Sequence, residues 1–153
     1  MYGIFIKLIK YLAWALVFIL LQACGSTSKK LVIQYKANAQ INPDLNSRPS
    51  PLVINTYQLS DLNAFQEADF YSLYENDKTI LGPELLHQNQ IEIKPGQLLK
   101  TEQDYSKQTK YLGFIAAFRD IDRAVWKKII VINAKEKKPI QVNVSAEAID
   151  VQR

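Results

Sequence analysis

The sequence predicts a mainly β fold, a two-sheet antiparallel β-sandwich with a small helical insertion at about residues 60–87. Three observations predict it. Apolar residues alternate with polar ones over several runs, as along strands with one buried face. Turn-forming residues separate these runs, giving seven or eight strands in one domain. One stretch alone changes to helical spacing.

The chain begins with a different kind of segment. Lys7 and Lys10 precede an uncharged run from Tyr11 to Leu21, and no acidic residue occurs before Asp44. Positive charge, a short apolar run and a small residue before a cut form the layout of a secretory signal. The run has 11 residues, whereas a spanning helix needs roughly 20. Stretching it from Ile4 to Leu21 with snorkelling lysines would make a marginal anchor. The position of the only cysteine argues for another outcome. Leu21-Gln22-Ala23-Cys24 resembles a bacterial lipobox, although Gln22 is a less usual choice at its position. The resemblance implies a signal peptide over 1–23 and lipidation of Cys24. Residues 24–30 then form a flexible linker of at most roughly 20 Å. Several acyl chains anchor firmly where one does not. Gly25 is not the aspartate usual for inner-membrane retention, so the expected site is the outer membrane, periplasmic face.

Removal of 1–23 leaves about 130 residues, enough for one cored domain at 31–153. The chain has 19 basic and 15 acidic side chains; without Lys7 and Lys10 the formal balance is +2. That balance argues against nucleic acid as a partner. A lipidated Cys24 leaves no thiol for a disulfide, so burial and sheet pairing must hold the domain.

The first strand is expected at Leu31 to Ile41, with Leu31, Ile33, Tyr35, Ala37, Ala39 and Ile41 on one face. Leu52 to Leu59 is the second. Asp61 can cap a short helix bearing Leu62 and Phe65. Glu67 to Glu75 sets Phe70, Leu73 and Tyr74 on one helical face, and Gly82-Pro83 ends it, with a further helical turn at Glu84-Leu85-Leu86. This insertion is expected to pack against one end of the sandwich. Gln90 to Lys94 is a short strand closed by Pro95-Gly96, with Gln97 to Glu102 returning as its partner. Tyr111 to Arg119 is apolar on both faces, as a central strand would be. Val125 to Asn133 and Pro139 to Val151 complete the set, and Lys135-Glu136-Lys137-Lys138 reads as a solvated hairpin tip.

No catalytic residue, metal ligand set or cofactor motif emerges. His87 is the only histidine, and no nucleophile elbow surrounds a serine. Asp44-Leu45-Asn46 begins like a calcium loop, but Pro49 and Asn55 stand where its glycine and glutamate belong. Glu67/Asp69 and Asp120/Asp122 are readable as acid–base couples, and better as helix-start and turn acids. Tyr71, Tyr74 and Tyr105 would line a groove if the domain bound a small ligand or cell-wall fragment.

The informative loop lies between the first two strands. Asn42, Pro43, Asp44, Leu45, Asn46, Ser47, Arg48, Pro49, Ser50 and Pro51 contain three prolines, which reduce the entropy lost when a loop is held for a partner. Arg48 carries five donors suited to a carboxylate or carbonyl. Asn42-Pro43-Asp44, Arg48-Pro49-Ser50-Pro51 and Tyr57-Gln58-Leu59 resemble the type VI secretion lipoproteins of the TssJ (SciN, VasD) family. The series continues through Phe65, Ala68-Asp69-Phe70, Leu73, Leu81-Gly82, Leu85-Leu86, Pro95-Gly96, Tyr111-Leu112-Gly113, Ala116 to Asp120 and Trp126. The resemblance implies a transthyretin-like sandwich and a non-catalytic role. It implies an outer-membrane tether for the periplasmic C-terminal domain of TssM, the IcmF-like inner-membrane component. By position it makes Asn42–Pro51 the partner-binding loop, in which Leu45 and Arg48 are the side chains to test first; Trp126 and Phe118, by their own chemistry, read as core.

Overall fold

The computed structural model describes residues 29–132 and 138–153. The expected signal peptide (1–23), Cys24 and residues 25–28 lie outside the described residues, as do Lys135, Glu136 and Lys137 of the expected hairpin tip. Eight strands are present among the described residues: β1 (Lys29–Ala37), β2 (Leu52–Leu59), β3 (Leu85–Ile93), β4 (Leu98–Tyr105), β5 (Tyr111–Ala116), β6 (Lys127–Val131), β7 (Ile140–Val144) and β8 (Ile149–Gln152). Helices α1 (Asn63–Glu67) and α2 (Phe70–Leu81) and a 3-10 turn, Gly82–Glu84, lie between β2 and β3.

The strands form two four-stranded sheets, ordered β4-β1-β7-β8 and β3-β2-β5-β6. All ladders are antiparallel except β1 with β7, which run parallel from Ile33↔Ile140 to Ala37↔Val144. Alternation along β1 sends Leu31, Ile33, Tyr35 and Ala37 inward, where they meet Leu52, Ile54, Leu112, Phe114 and Ala116 of the facing sheet. Polar bonds also cross this core. Tyr35 Oη and Thr56 Oγ1 lie 3.0 Å apart, and buried Gln58 donates to Asp104 O and accepts from Thr109 Oγ1. A buried hydrogen bond is costly to leave unmade, so these pairs fix the position of one sheet on the other.

β2 is buried on both faces because the helices cover its outer side. Tyr57, Leu59 and Ile115 point outward and pack with Phe65, Phe70, Leu73 and Leu81 in a second core. The insertion therefore covers a sheet face, not an end of the sandwich as the sequence suggests. Phe65 presses so closely on β5 that a Cβ at Gly113 would lie 2.5 Å from its Cζ. Tyr57 Oη donates to Leu73 O at 3.1 Å, and Asn76, about one turn on, leaves helical geometry (φ −132°, ψ 28°). The hydroxyl thus satisfies a carbonyl inside the helix, a recognised setting for a kink. Lys127 Nζ donates to Phe65 O, Gln66 O and Ala68 O, closing the carbonyl end of α1.

Several boundaries differ from the sequence reading. β1 starts at Lys29 and ends at Ala37, where its neighbours β4 and β7 also run out of partners. Ile41 stays buried beyond it. The helical turn expected at Glu84-Leu85-Leu86 falls earlier, as the 3-10 turn Gly82–Glu84: Leu85 already opens β3, whose register reaches back to pair with Leu59. Pro95-Gly96 joins different sheets, and β4 pairs with β1 rather than with β3. The expected run from Pro139 to Val151 is two strands, reversed where Ser145 N and Oγ both donate to Ala148 O. Alternation continues through this turn, which contains no glycine or proline, so no local signal marks it.

A candidate partner-binding end of the sandwich

The loop from Asn42 to Pro51 is pinned at both ends by one side chain. Asn42 is buried and has φ +48°, a left-handed conformation that asparagine tolerates better than most residues. Its Nδ2 donates to Pro51 O at 2.8 Å, and its Oδ1 accepts from Arg119 N at 2.8 Å. Ser50 Oγ donates to Asn42 O and accepts from Arg119 Nε. The start and end of the loop are thereby tied to each other and to the segment after β5.

The tip is organised around Asp44. Its Oδ1 accepts from Asn46 N and Arg48 N, and its Oδ2 accepts from Arg48 Nε at 2.8 Å and Nη2 at 2.7 Å. The backbone N–H of Arg48, followed by its guanidinium, holds the Asp44 carboxyl below the usual aspartate range. Ser47 completes the reversal at φ +60°. Arg48, expected to offer its donors outward, spends Nε and Nη2 inside the loop. Its first role in this geometry is to fix the tip. Leu45 projects from that tip with its whole surface in water, at 105% relative exposure.

Folding brings other segments beside Leu45 that sequence reasoning does not select. A shallow groove of about 730 Å³ is lined by Pro43–Ser47, Tyr71 of α2, Arg119–Arg123 and Glu147. Tyr71 is 61% exposed, so much of its ring is open to solvent on this groove. Asp120 accepts from Arg123 Nε at 2.6 Å and from its Nη2, so this acid is half of a surface ion pair. The Arg123 side chain holds the Asp120 carboxyl below its usual range. Exposed Tyr71 is read in sequence only as part of a tyrosine groove. Its place next to Leu45 depends on how α2 lies across the sheet.

The remaining candidates separate. His87 is exposed on β3. Asp69 caps α2, accepting from Ser72 N and Oγ, while Glu67 ends α1. Tyr71 and Tyr74 lie on α2, whereas Tyr105 packs against the inter-sheet core from β4, so the three do not form one groove. Phe118 is buried and Trp126 packs between both cores, edge-on to Phe70 at 5.4 Å. Among the described residues no three His, Cys, Asp or Glu side chains gather as a metal site.

Residues 29–147 match the family model described as type VI secretion lipoprotein, VasD, EvfM, TssJ. No curated protein matches the chain. Among solved structures, the type VI lipoprotein TssJ1 from Pseudomonas aeruginosa is 30% identical with a TM-score of 0.78, covering 82% of this chain and 95% of that one. Lip from Serratia marcescens, a membrane-bound component of the type VI secretion system, is 21% identical with a TM-score of 0.75, over 83% of this chain and 98% of that one. A chain in the structure of the TssM C-terminal domain from EAEC is 21% identical with a TM-score of 0.68, over 82% and 98%. The two-sheet architecture, the helical layer on the second sheet and a family match across nearly the whole described domain agree: the chain belongs to the type VI secretion lipoprotein family, TssJ.

Proposed function

We propose that this protein is a non-catalytic outer-membrane lipoprotein of the type VI secretion membrane complex. Cys24 carries the lipid, and the loop Asn42–Pro51 engages the periplasmic C-terminal domain of TssM. The observation that carries the site is Leu45: a wholly exposed leucine on a tip held rigid by Asn42 and Asp44. Rigid presentation lowers the ordering cost of binding, and an apolar anchor entering a pocket supplies most of an interface's energy. The family membership and the likeness to a chain in a TssM-domain structure support the partner. No chemical step is assigned. The work is mechanical, with lipid at one end of the domain and protein at the other.

The test is calorimetric titration of the mature chain with the TssM periplasmic C-terminal domain. Fully burying a leucine is worth about 1.5–3 kcal/mol, so Leu45→Ala should weaken binding by roughly 10- to 150-fold. Melting temperature should stay unchanged, because Leu45 touches no core. Equal affinity for Leu45→Ala and the parent would remove the loop from the interface. In cells, Cys24→Ser should leave a folded domain that fails to reach the membrane and does not support secretion; normal secretion by that variant would overturn the anchor.

A further inference from the structure

The register of the sheets sorts the charges by end. At the end where β1 starts, Lys29 pairs with Tyr105 and Lys30 with Asp104. The turn following β4 places Lys107 and Lys110 here, and Lys110 O accepts from Ile132 N just beyond β6. Lys138 precedes β7, whose first residue lies beside Ile33, and Arg153 follows β8 at this same end. Lys30, Lys107, Lys110 and Lys138 are exposed, and so is Val131 at 67%. The acids nearby are Asp104, which pairs with Lys30, Glu102, which pairs with Lys100, and Asp61 and Glu84 on the β2–β3 corner. Glu84 accepts from Ala64 N. The opposite end is closer to balance. Arg48 pairs with Asp44 and Arg123 with Asp120, while Asp122 and Glu147 offset Lys94 and Arg119.

We propose that the basic end, carried by Lys107, Lys110 and Lys138, rests on an anionic phospholipid surface and sets the orientation of the domain. This rests on the anchor reading, because only a lipid on Cys24 makes this end the membrane-proximal one. Lys29 follows Cys24 by five positions, so the start of β1 stays within roughly 17 Å of the anchor. Screening in physiological salt acts over about 8 Å. A tether alone would let the domain tumble and lie on either sheet. Lysines within reach of anionic headgroups favour the end-on pose, the same force that draws juxtamembrane polybasic segments to membranes. In that pose the loop Asn42–Pro51 stands about 30 Å out, one length of β1 from the headgroups. The charge partition would thus hold the partner end toward the periplasm.

The lone thiol allows a direct test that does not depend on natural lipidation. The mature chain is coupled through Cys24 to a maleimide lipid in vesicles of phosphatidylethanolamine and phosphatidylglycerol at about 7:3, or in vesicles of phosphatidylcholine alone. Hydrogen exchange is then followed by mass spectrometry. The amides of Ser106–Lys110 should exchange about threefold more slowly on the anionic vesicles, with the amides of Asp44–Arg48 unchanged. Lys107→Glu/Lys110→Glu should abolish the slowing. Lys36→Glu/Lys94→Glu, an equal charge change away from this end, should preserve it. Equal exchange on both vesicles, or equal loss in both double variants, would overturn the proposal. Failure of the anchor reading would appear separately, as absence of palmitate label on Cys24 in cells.

Discussion

Asn42 gives the sharpest test of how the loop is held. Its side chain makes two hydrogen bonds, to Pro51 O and from Arg119 N, and its backbone sits at φ +48°. Two substitutions separate these contributions. Asn42→Gly removes both bonds but keeps the conformation available, and at about 1 kcal/mol per bond it should cost about 2 kcal/mol. Asn42→Ala loses the same bonds and adds left-handed strain of about 1 kcal/mol, for about 3 kcal/mol. Urea unfolding followed by circular dichroism measures both, and the denaturant slope should not change. Both variants should also weaken TssM binding, because the tip loses its fixed position. Stability within about 0.5 kcal/mol of the parent for both would refute the claim that Asn42 pins the loop. Equal values for glycine and alanine would refute the strain alone.

Gly113→Ala should destabilise the domain by about 1–3 kcal/mol, since its Cβ would meet the Phe65 ring in a filled core; an unchanged melting temperature would show that Phe65 can move aside. Lys127→Met keeps an apolar stem near Phe65 and Trp126 but leaves the carbonyls of Phe65, Gln66 and Ala68 without this donor, at about 1–2 kcal/mol by thermal melting. No loss would mean that water replaces the ammonium. Asp44 and Asp69 are both held below the ordinary aspartate value of 3.8, chiefly by the backbone N–H groups of Arg48 and Ser72. Depressed carboxyl pKa values give stability that is present above the unfolded value and lost as pH falls through the folded one. Melting temperature should therefore decline as pH drops below about 4, and less steeply in Asp44→Asn/Asp69→Asn; identical slopes would contradict the assignment.

Much of the architecture is legible in local pattern. β2 occupies its expected span, Leu52 to Leu59, and β5 is a strand covered on both faces, as its apolar run predicts. Asp69 and the spacing of Phe70 and Leu73 announce α2. Other elements escape a local reading for identifiable reasons. The Gln88-Asn89-Gln90 stretch of β3 has weak strand propensity, and it is held by its ladder to β2. The β7–β8 turn sits inside unbroken alternation; Ser145 closes it onto Ala148 O, and Asn42 N and Val125 N hold Ala146 O and Glu147 O from distant segments. The loop stands out in sequence, but an outward Arg48 does not follow from it, because a sequence cannot show that Asp44 occupies two of the guanidinium's donors.

By itself, the sequence determines the β-rich class, the helical insertion, the proline-rich loop, and the ordered residues that place the chain in its family. These follow from short-range periodicity, turn chemistry and residue identity, which are properties of a segment and its immediate neighbours. Only the tertiary structure decides which strands pair, that β1 and β7 run parallel, and that the helices cover a sheet face. It also brings Tyr71 and Arg119–Arg123 beside Leu45 and collects the lysines at the other end. Those outcomes depend on contacts between residues far apart in the chain, where loop closure and mutual burial choose among arrangements that local pattern leaves equal.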